Sequence, residues 1–217
     1  MSFHLIVLIC LYSTAFLGGI YGLTQFKNLR LSFKWITVFL LFSGLVQAGA
    51  LMIGTFYGTN RLYNNLTIPC FYLLSYLIFA NLSKDKRTLA INNILFIVGA
   101  VFLFFFMAID INLGIMSKKA ISVGNLVFSL ASFLFFFELI KKPLRKSPLQ
   151  MPKFYFLFSF LFYHSSVIFI WAAKAMFEND TNQYSIQYLH VATLTAYYCI
   201  LTASLVVESK NNRGYGS

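Results

Sequence analysis

The sequence predicts an all-α fold: a polytopic seven-transmembrane-helix bundle, N-terminus outside and C-terminus cytosolic. Three observations predict it: an apolar composition, seven apolar blocks of near-spanning length, and basic residues that alternate from loop to loop. Of 217 residues, 59% are hydrophobic and 11% charged, against about a quarter charged in soluble globular domains. The mean hydropathy is +0.74. So few charges cannot clothe that much apolar side chain in water, which makes the bilayer the natural solvent.

The apolar blocks are Phe3–Tyr21, Trp35–Tyr57, Leu66–Ala80, Ile91–Ala108, Ile121–Leu139, Phe154–Phe177 and Ile186–Val207. Most approach the roughly 20 residues that a helix needs to cross about 30 Å of hydrocarbon. The first carries no Lys or Arg before it, unlike the basic start of a signal peptide, and reads as a helix. The third is the weakest. Asn64, Asn65 and Pro69 lie near its start, where a broken turn is expected and a missing N–H costs least. All connections are short and none could hold a soluble domain. Backbone polar groups cannot go unpaired in lipid, so helices are the architecture. Residues 1–208 then form one transmembrane domain and 209–217 a short polar cytosolic tail.

Charge sets the orientation. The first loop holds Lys27, Arg30 and Lys34, the third Lys84, Lys86 and Arg87, and the fifth Lys141, Lys142, Arg145, Lys146 and Lys153. The even-numbered loops hold only Arg61, Lys118 and Lys119, and the last loop Glu178 and Asp180. Basic loops face the cytosol, so an odd helix count with the N-terminus out follows. The net charge of +11 would suggest nucleic acid on a soluble protein. Here the basic residues sit between apolar blocks, where they meet anionic lipid, and no nucleic-acid partner is expected. The fifth loop, KKPLRKSPLQMPK, is the expected partner or lipid contact.

Small residues four apart mark faces where helices approach closely: Ala15/Gly19 and Gly18/Gly22 in the first block, Ala50, Gly54 and Gly58 in the second. Packing within the bundle is the simpler reading than a dimer motif. Cys10, Cys70 and Cys199 all fall in apolar blocks without CxxC spacing, so they read as packing residues. Abundant Phe and Tyr suit lipid and its interface.

Ionisable and amide groups inside spans are costly and become the candidate site. Gln47, Asp110, Asn125, Lys174, Gln187 and His190 lie at middle to outer depths of their blocks and could converge on one polar pocket open to the outside. His164 lies mid-block, followed by Ser165 and Ser166; it reads as a proton relay or as a neutral, hydrogen-bonded histidine. The alternative for the whole set is separate interhelical hydrogen bonds. Glu138, one turn from Lys141 and Lys142, reads as an interfacial ion pair, and Lys174, one turn before Glu178, as a snorkelling lysine. There is no HExxH, GxSxG, Walker or GxGxxG motif, and no Lys in the seventh block to hold retinal. Nothing suggests a metal, a cofactor or catalysis.

The stretches FYFLFSFLFYHSSVIFIWAAKAMF (Phe154–Phe177), IQYLHVATLTAYYCILTASLVV (Ile186–Val207) and LYNNLTIPCFYLLSYLIFANL, with the chain's size and layout, resemble small seven-helix membrane proteins of Bacteroidota, often encoded beside sensor histidine kinases. The resemblance implies a sensory or scaffold role in the inner membrane, with a membrane partner such as a sensor kinase or larger assembly. It supplies no catalytic residues. The expected function is therefore non-enzymatic binding, as a receptor-like component or complex subunit; a small-solute or proton-coupled transporter using His164 is the alternative.

Overall fold

The computed structural model describes residues 3–141, 147–176 and 183–213; of these, the side chains of 3–12, 174–176, 183–185, 187 and 213 are not described. Seven helices follow one another: α1 Phe3–Thr24, α2 Leu31–Tyr57, α3 Arg61–Ala80, α4 Lys86–Asn112, α5 Lys118–Lys141, α6 Pro152–Met176 and α7 Gln183–Arg213. Among the described residues there is no strand. Six helices, α2 to α7, contain stretches long and apolar enough to cross a membrane. The chain is a multi-pass integral membrane protein.

Each helix packs on its neighbours in sequence, and α1 closes the ring against α7. Contacts of α2 with α7 and of α3 with α5 cut across it, leaving α1 and α4 peripheral. The α1–α2, α3–α4 and α5–α6 connections and the end of α7 share the basic end of the bundle. The α2–α3 and α4–α5 connections lie at the far end.

The helix boundaries have local causes. The Asp85 carboxylate caps α4, accepting from the Thr88 amide at 2.9 Å and its hydroxyl at 2.6 Å. Gly58 ends α2 in the left-handed region, φ 71°, its N–H bonded to the Gly54 carbonyl. Pro152 opens α6, where its missing N–H is harmless. The expected broken turn is absent: α3 begins at Arg61 and runs through Pro69 as one helix.

The small residues of α1 do mark close approach. A side chain on Gly19 would strike Leu41 of α2, one on Gly22 would strike Thr37 of α2, and one on Gly18 would strike Thr202 of α7. The Ala50/Gly54/Gly58 series differs. A Cβ on Gly54 would meet only the Asn60 amide at 3.7 Å, and Gly58 faces open space. There the four-residue spacing reflects a helix end.

The basic end is tied together by polar bonds. Glu208 of α7 has no exposed side-chain surface, and the Arg30 guanidinium grips it with two hydrogen bonds of 2.5 Å. The Arg30 amide adds a bond at 3.4 Å and Asn212 another at 3.1 Å. Asn212 also reaches the Asn28 carbonyl and Ser209 the Gln25 side chain, so the last turns of α7 are sewn to the α1–α2 connection. The region read as a polar tail thus contributes helical residues up to Arg213. Nearby, Lys153 donates to the Leu82 carbonyl, and the Lys141 ammonium sits over the Phe137 ring at 4.3 Å. Lys142, Arg145 and Lys146 lie outside the described residues.

Removing one partner of a buried pair is worse when it strands the buried charge. Arg30→Ala leaves the Glu208 carboxylate buried without its cation, and should cost ~3 kcal/mol. Glu208→Gln removes the buried charge and leaves an Arg that is half exposed, so it should cost clearly less. Thermal unfolding of the two variants in detergent checks the order; equal losses would contradict it.

Candidate binding site

The half of the bundle toward the far end holds a cavity of about 230 Å³. It is lined from α2 by Gln47, from α3 by Tyr72, from α5 by Gly124, Asn125 and Phe128, from α6 by Tyr163 and His164, and from α7 by Tyr197 and Tyr198, with apolar side chains between. Only Leu103 of α4 reaches it.

Its centre is a couple between two helices. The His164 Nδ1 and Asn125 Oδ1 lie 2.7 Å apart, both residues 6% exposed. Phe128, Phe160 and Tyr163 hold the imidazole, with ring centroids 4.8, 5.1 and 4.9 Å away. Those rings fix its orientation and exclude lipid. Across the cavity, the Gln47 amide donates to the Tyr198 hydroxyl at 2.5 Å. Tyr163 and Tyr197 stack at 4.5 Å, while Tyr72 is tied to the Phe96 carbonyl at 2.8 Å.

Four buried atoms on this lining have no hydrogen-bond partner in the protein: Gln47 Oε1, Asn125 Nδ2, His164 Nε2 and the Tyr197 hydroxyl. They come from four different helices. Buried polar groups in proteins are almost always paired, and each exception needs an explanation. Ser75, Asn92 and Asn93 also have unpaired buried atoms, but none of them lines this cavity.

Of the residues expected to converge, Gln47 and Asn125 meet here, and His164, read separately from the sequence, joins them. Asp110 does not. It lies on the same buried stripe of α4 as Leu103, but about 10 Å further along the helix axis at 1.5 Å per residue. There it accepts from the Ser117 hydroxyl at 2.7 Å. Asn65 completes that cluster, donating to the Ile115 carbonyl and accepting from the Ser117 amide, both at 2.9 Å. This is a brace for the α4–α5 turn, and it buries the Asn65 side chain. His190 stands behind Tyr163, ring centroids 6.2 Å apart, and is not part of the lining. The side chains of Lys174 and Gln187 lie outside the described residues. Glu138 accepts from the Ser83 hydroxyl at 2.8 Å. No group of three or more His, Cys, Asp or Glu side chains that could hold a metal occurs among the described residues.

Sequence reading missed Tyr72, Tyr163, Tyr197 and Tyr198, because Tyr suits the membrane interface. Their positions well inside spans were the available signal, since a buried phenol needs a partner. Gly124 was missed too. A Cβ there would meet nothing closer than Phe128 at 3.8 Å, so its missing side chain is part of the open volume. Comparisons with protein-family models, curated proteins and solved structures found no match to this chain.

Two glycines on this lining and beside it should respond oppositely to alanine. At Gly124 the methyl fits, and helix propensity favours Ala by up to ~1 kcal/mol, so Gly124→Ala should hold or raise the unfolding midpoint. At Gly99 a Cβ would strike the Tyr72 hydroxyl and Val127. Gly99→Ala should therefore cost ~1–3 kcal/mol as an overpacked site. Paired melts of the two proteins test the contrast, which fails if both lose stability.

Proposed function

We propose that this chain is a non-enzymatic, receptor-like membrane protein that binds a small molecule in the cavity between α2, α3, α5, α6 and α7. One observation carries the reading: four unpartnered polar atoms from four helices line one mostly apolar volume. Such a volume with a few convergent polar groups is the usual form of a small-molecule site. A ligand seated there would contact five helices at once, which is what a sensor needs to turn binding into movement.

The alternative, transport, wants a path through the bundle. Toward the basic end the axis is filled with rings. Phe79, Phe156 and Phe160 are fully buried and mutually in contact at centroid distances of 4.6 to 5.4 Å. Dense aromatic packing on one side of the cavity supports binding over passage.

In this proposal all seven helices cross the membrane, with the basic end cytosolic and the cavity in the outer half. The resemblance to proteins encoded beside sensor kinases favours a bacterial inner membrane and a kinase or larger membrane assembly as the partner. Lys141 and Lys153 at the two ends of the fifth loop lie on the same side as the Arg30–Glu208 clasp, and the loop's basic sequence is the contact for that partner or for anionic lipid.

Purification of the chain in mild detergent from its own membrane, followed by native mass spectrometry, tests the reading. A bound small molecule should survive in Gly54→Leu, away from the cavity, and disappear in Gly124→Leu, which fills it. A wild-type protein that carries nothing, or an adduct indifferent to Gly124→Leu, would contradict it. Labelling of single cysteines should find position 59 accessible from outside and position 84 only after the membrane is opened.

A further inference from the structure

Granting that the cavity binds a small molecule, the lining narrows its chemistry. We infer that the ligand is a neutral, ring-sized molecule bearing both a hydrogen-bond donor and an acceptor, of the carboxamide class.

Neutrality follows from the wall. Among the described residues, no Lys, Arg, Asp or Glu lines it. A charge brought there would lose its water without gaining a counter-charge, which is the most expensive thing a low-dielectric site can be asked to hold. Size follows from the volume. At about 30 Å³ per water, some 230 Å³ takes roughly seven waters, or one compact molecule of roughly eight to ten heavy atoms. The walls suit a ring, since Phe39, Phe71, Tyr72, Phe128, Tyr163 and Tyr197 all present aromatic surface to the volume. Aromatic rings stack and meet edge to face at 4.5–7 Å between centroids.

The donor–acceptor requirement follows from the two couples. If His164 Nδ1–H donates to Asn125 Oδ1, then Nε2 is left as an acceptor and Asn125 Nδ2 as a donor. If the Asn125 amide is turned over, it donates to Nδ1; Nε2–H is then the donor left over and Oδ1 the acceptor. Either way the couple offers one donor and one acceptor. The Gln47–Tyr198 couple behaves alike. As drawn it leaves Oε1 accepting, and with the amide turned it leaves an N–H. The Tyr197 hydroxyl serves as either. A ligand with only acceptors, such as an ether or ketone, leaves part of this set unpaired. A hydrocarbon leaves all of it. A carboxamide supplies a C=O and an N–H together and stays neutral.

The test uses the full chain in detergent with three probes of one shape: benzamide, benzoate and toluene, read by thermal unfolding and by saturation-transfer NMR. Benzamide should raise the unfolding midpoint and show ring-proton transfer; benzoate should do neither; toluene should bind more weakly than benzamide. Tyr197→Phe deletes one hydroxyl that has no protein partner, and should weaken benzamide roughly three- to tenfold while leaving toluene unchanged, as for one lost hydrogen bond. Asn125→Leu should abolish the preference for benzamide; if that protein fails to fold, the Tyr197→Phe result stands by itself. Equal binding of toluene and benzamide, unmoved by Tyr197→Phe, would overturn the carboxamide inference while leaving the cavity a binding site. Benzoate binding as well as benzamide would overturn neutrality. If no probe acts on the wild type and its native mass carries no adduct, ordered water fills the cavity, and the binding proposal falls with the inference.

Discussion

A polar group inside hydrocarbon must find a partner, and this bundle is arranged around where that demand is met and where it is left to something else. An unpaired polar group buried in a low-dielectric interior costs several times what the same group costs when bonded. At the basic end it is met at Glu208, whose carboxylate takes two bonds from the Arg30 guanidinium, one from the Arg30 amide and one from Asn212, although Glu208 itself is sealed from solvent. At the far end it is met again, where Asn65, Ser117 and Asp110 hand hydrogen bonds along the α4–α5 turn. Between these two closed systems lies the His164–Asn125 couple, satisfied on one side only. The contrast within one molecule is informative, because the same chain shows that it can close a polar cluster when closure is useful.

Packing follows the same division. Where polar groups pair, helices come close. Thr37 beside Gly22 and Thr202 beside Gly18 bring α2 and α7 onto α1 with no room for a methyl between. Both hydroxyls bond back to their own helix, so neither is left wanting. Where the cavity lies, the helices are instead held apart by large rings, with Phe128 and Tyr197 flanking the imidazole. Gly124 then withholds a side chain at the place where one would fit. Rings that touch one another border the volume, with Tyr163 and Tyr197 stacked on one wall and Phe128 on another.

How much of this was legible in the sequence depends on which coordinate is asked for. Depth along a helix can be read from position within an apolar block, and it put Gln47 and Asn125 at middle to outer levels and His164 near the middle. The angle around a helix is weaker information when nearly every position is apolar, since no polar face marks the outside. That is why α4 exposes Ile94, Ile97 and Val101 to its surroundings while burying Asn92 and Asp110. Asp110 was grouped with the cavity because its depth is only two turns off, and the partner that claims it, Ser117, sits across a turn whose shape depends on Gly114 at φ 66°. Glu208 escaped notice for the converse reason. Its partner Arg30 is 178 positions away in sequence, and only ring closure between α1 and α7 brings them together. Long-range polar pairing of this kind leaves no local pattern to read.

The two ends also differ in what a movement would disturb. At the basic end α7 is bonded through Ser209, Asn211 and Asn212 to both neighbouring connections, so any rotation of that helix pulls on the α1–α2 and α5–α6 segments together. At the cavity α7 contributes Leu194, Tyr197 and Tyr198, and α6 contributes Tyr163 and His164. A molecule that drew His164 and the Tyr197 hydroxyl toward itself would therefore act on the helix that is anchored to the α1–α2 and α5–α6 connections. Coupling needs a rigid element with two biased ends, and α7 is a single continuous helix of 31 residues running from one to the other.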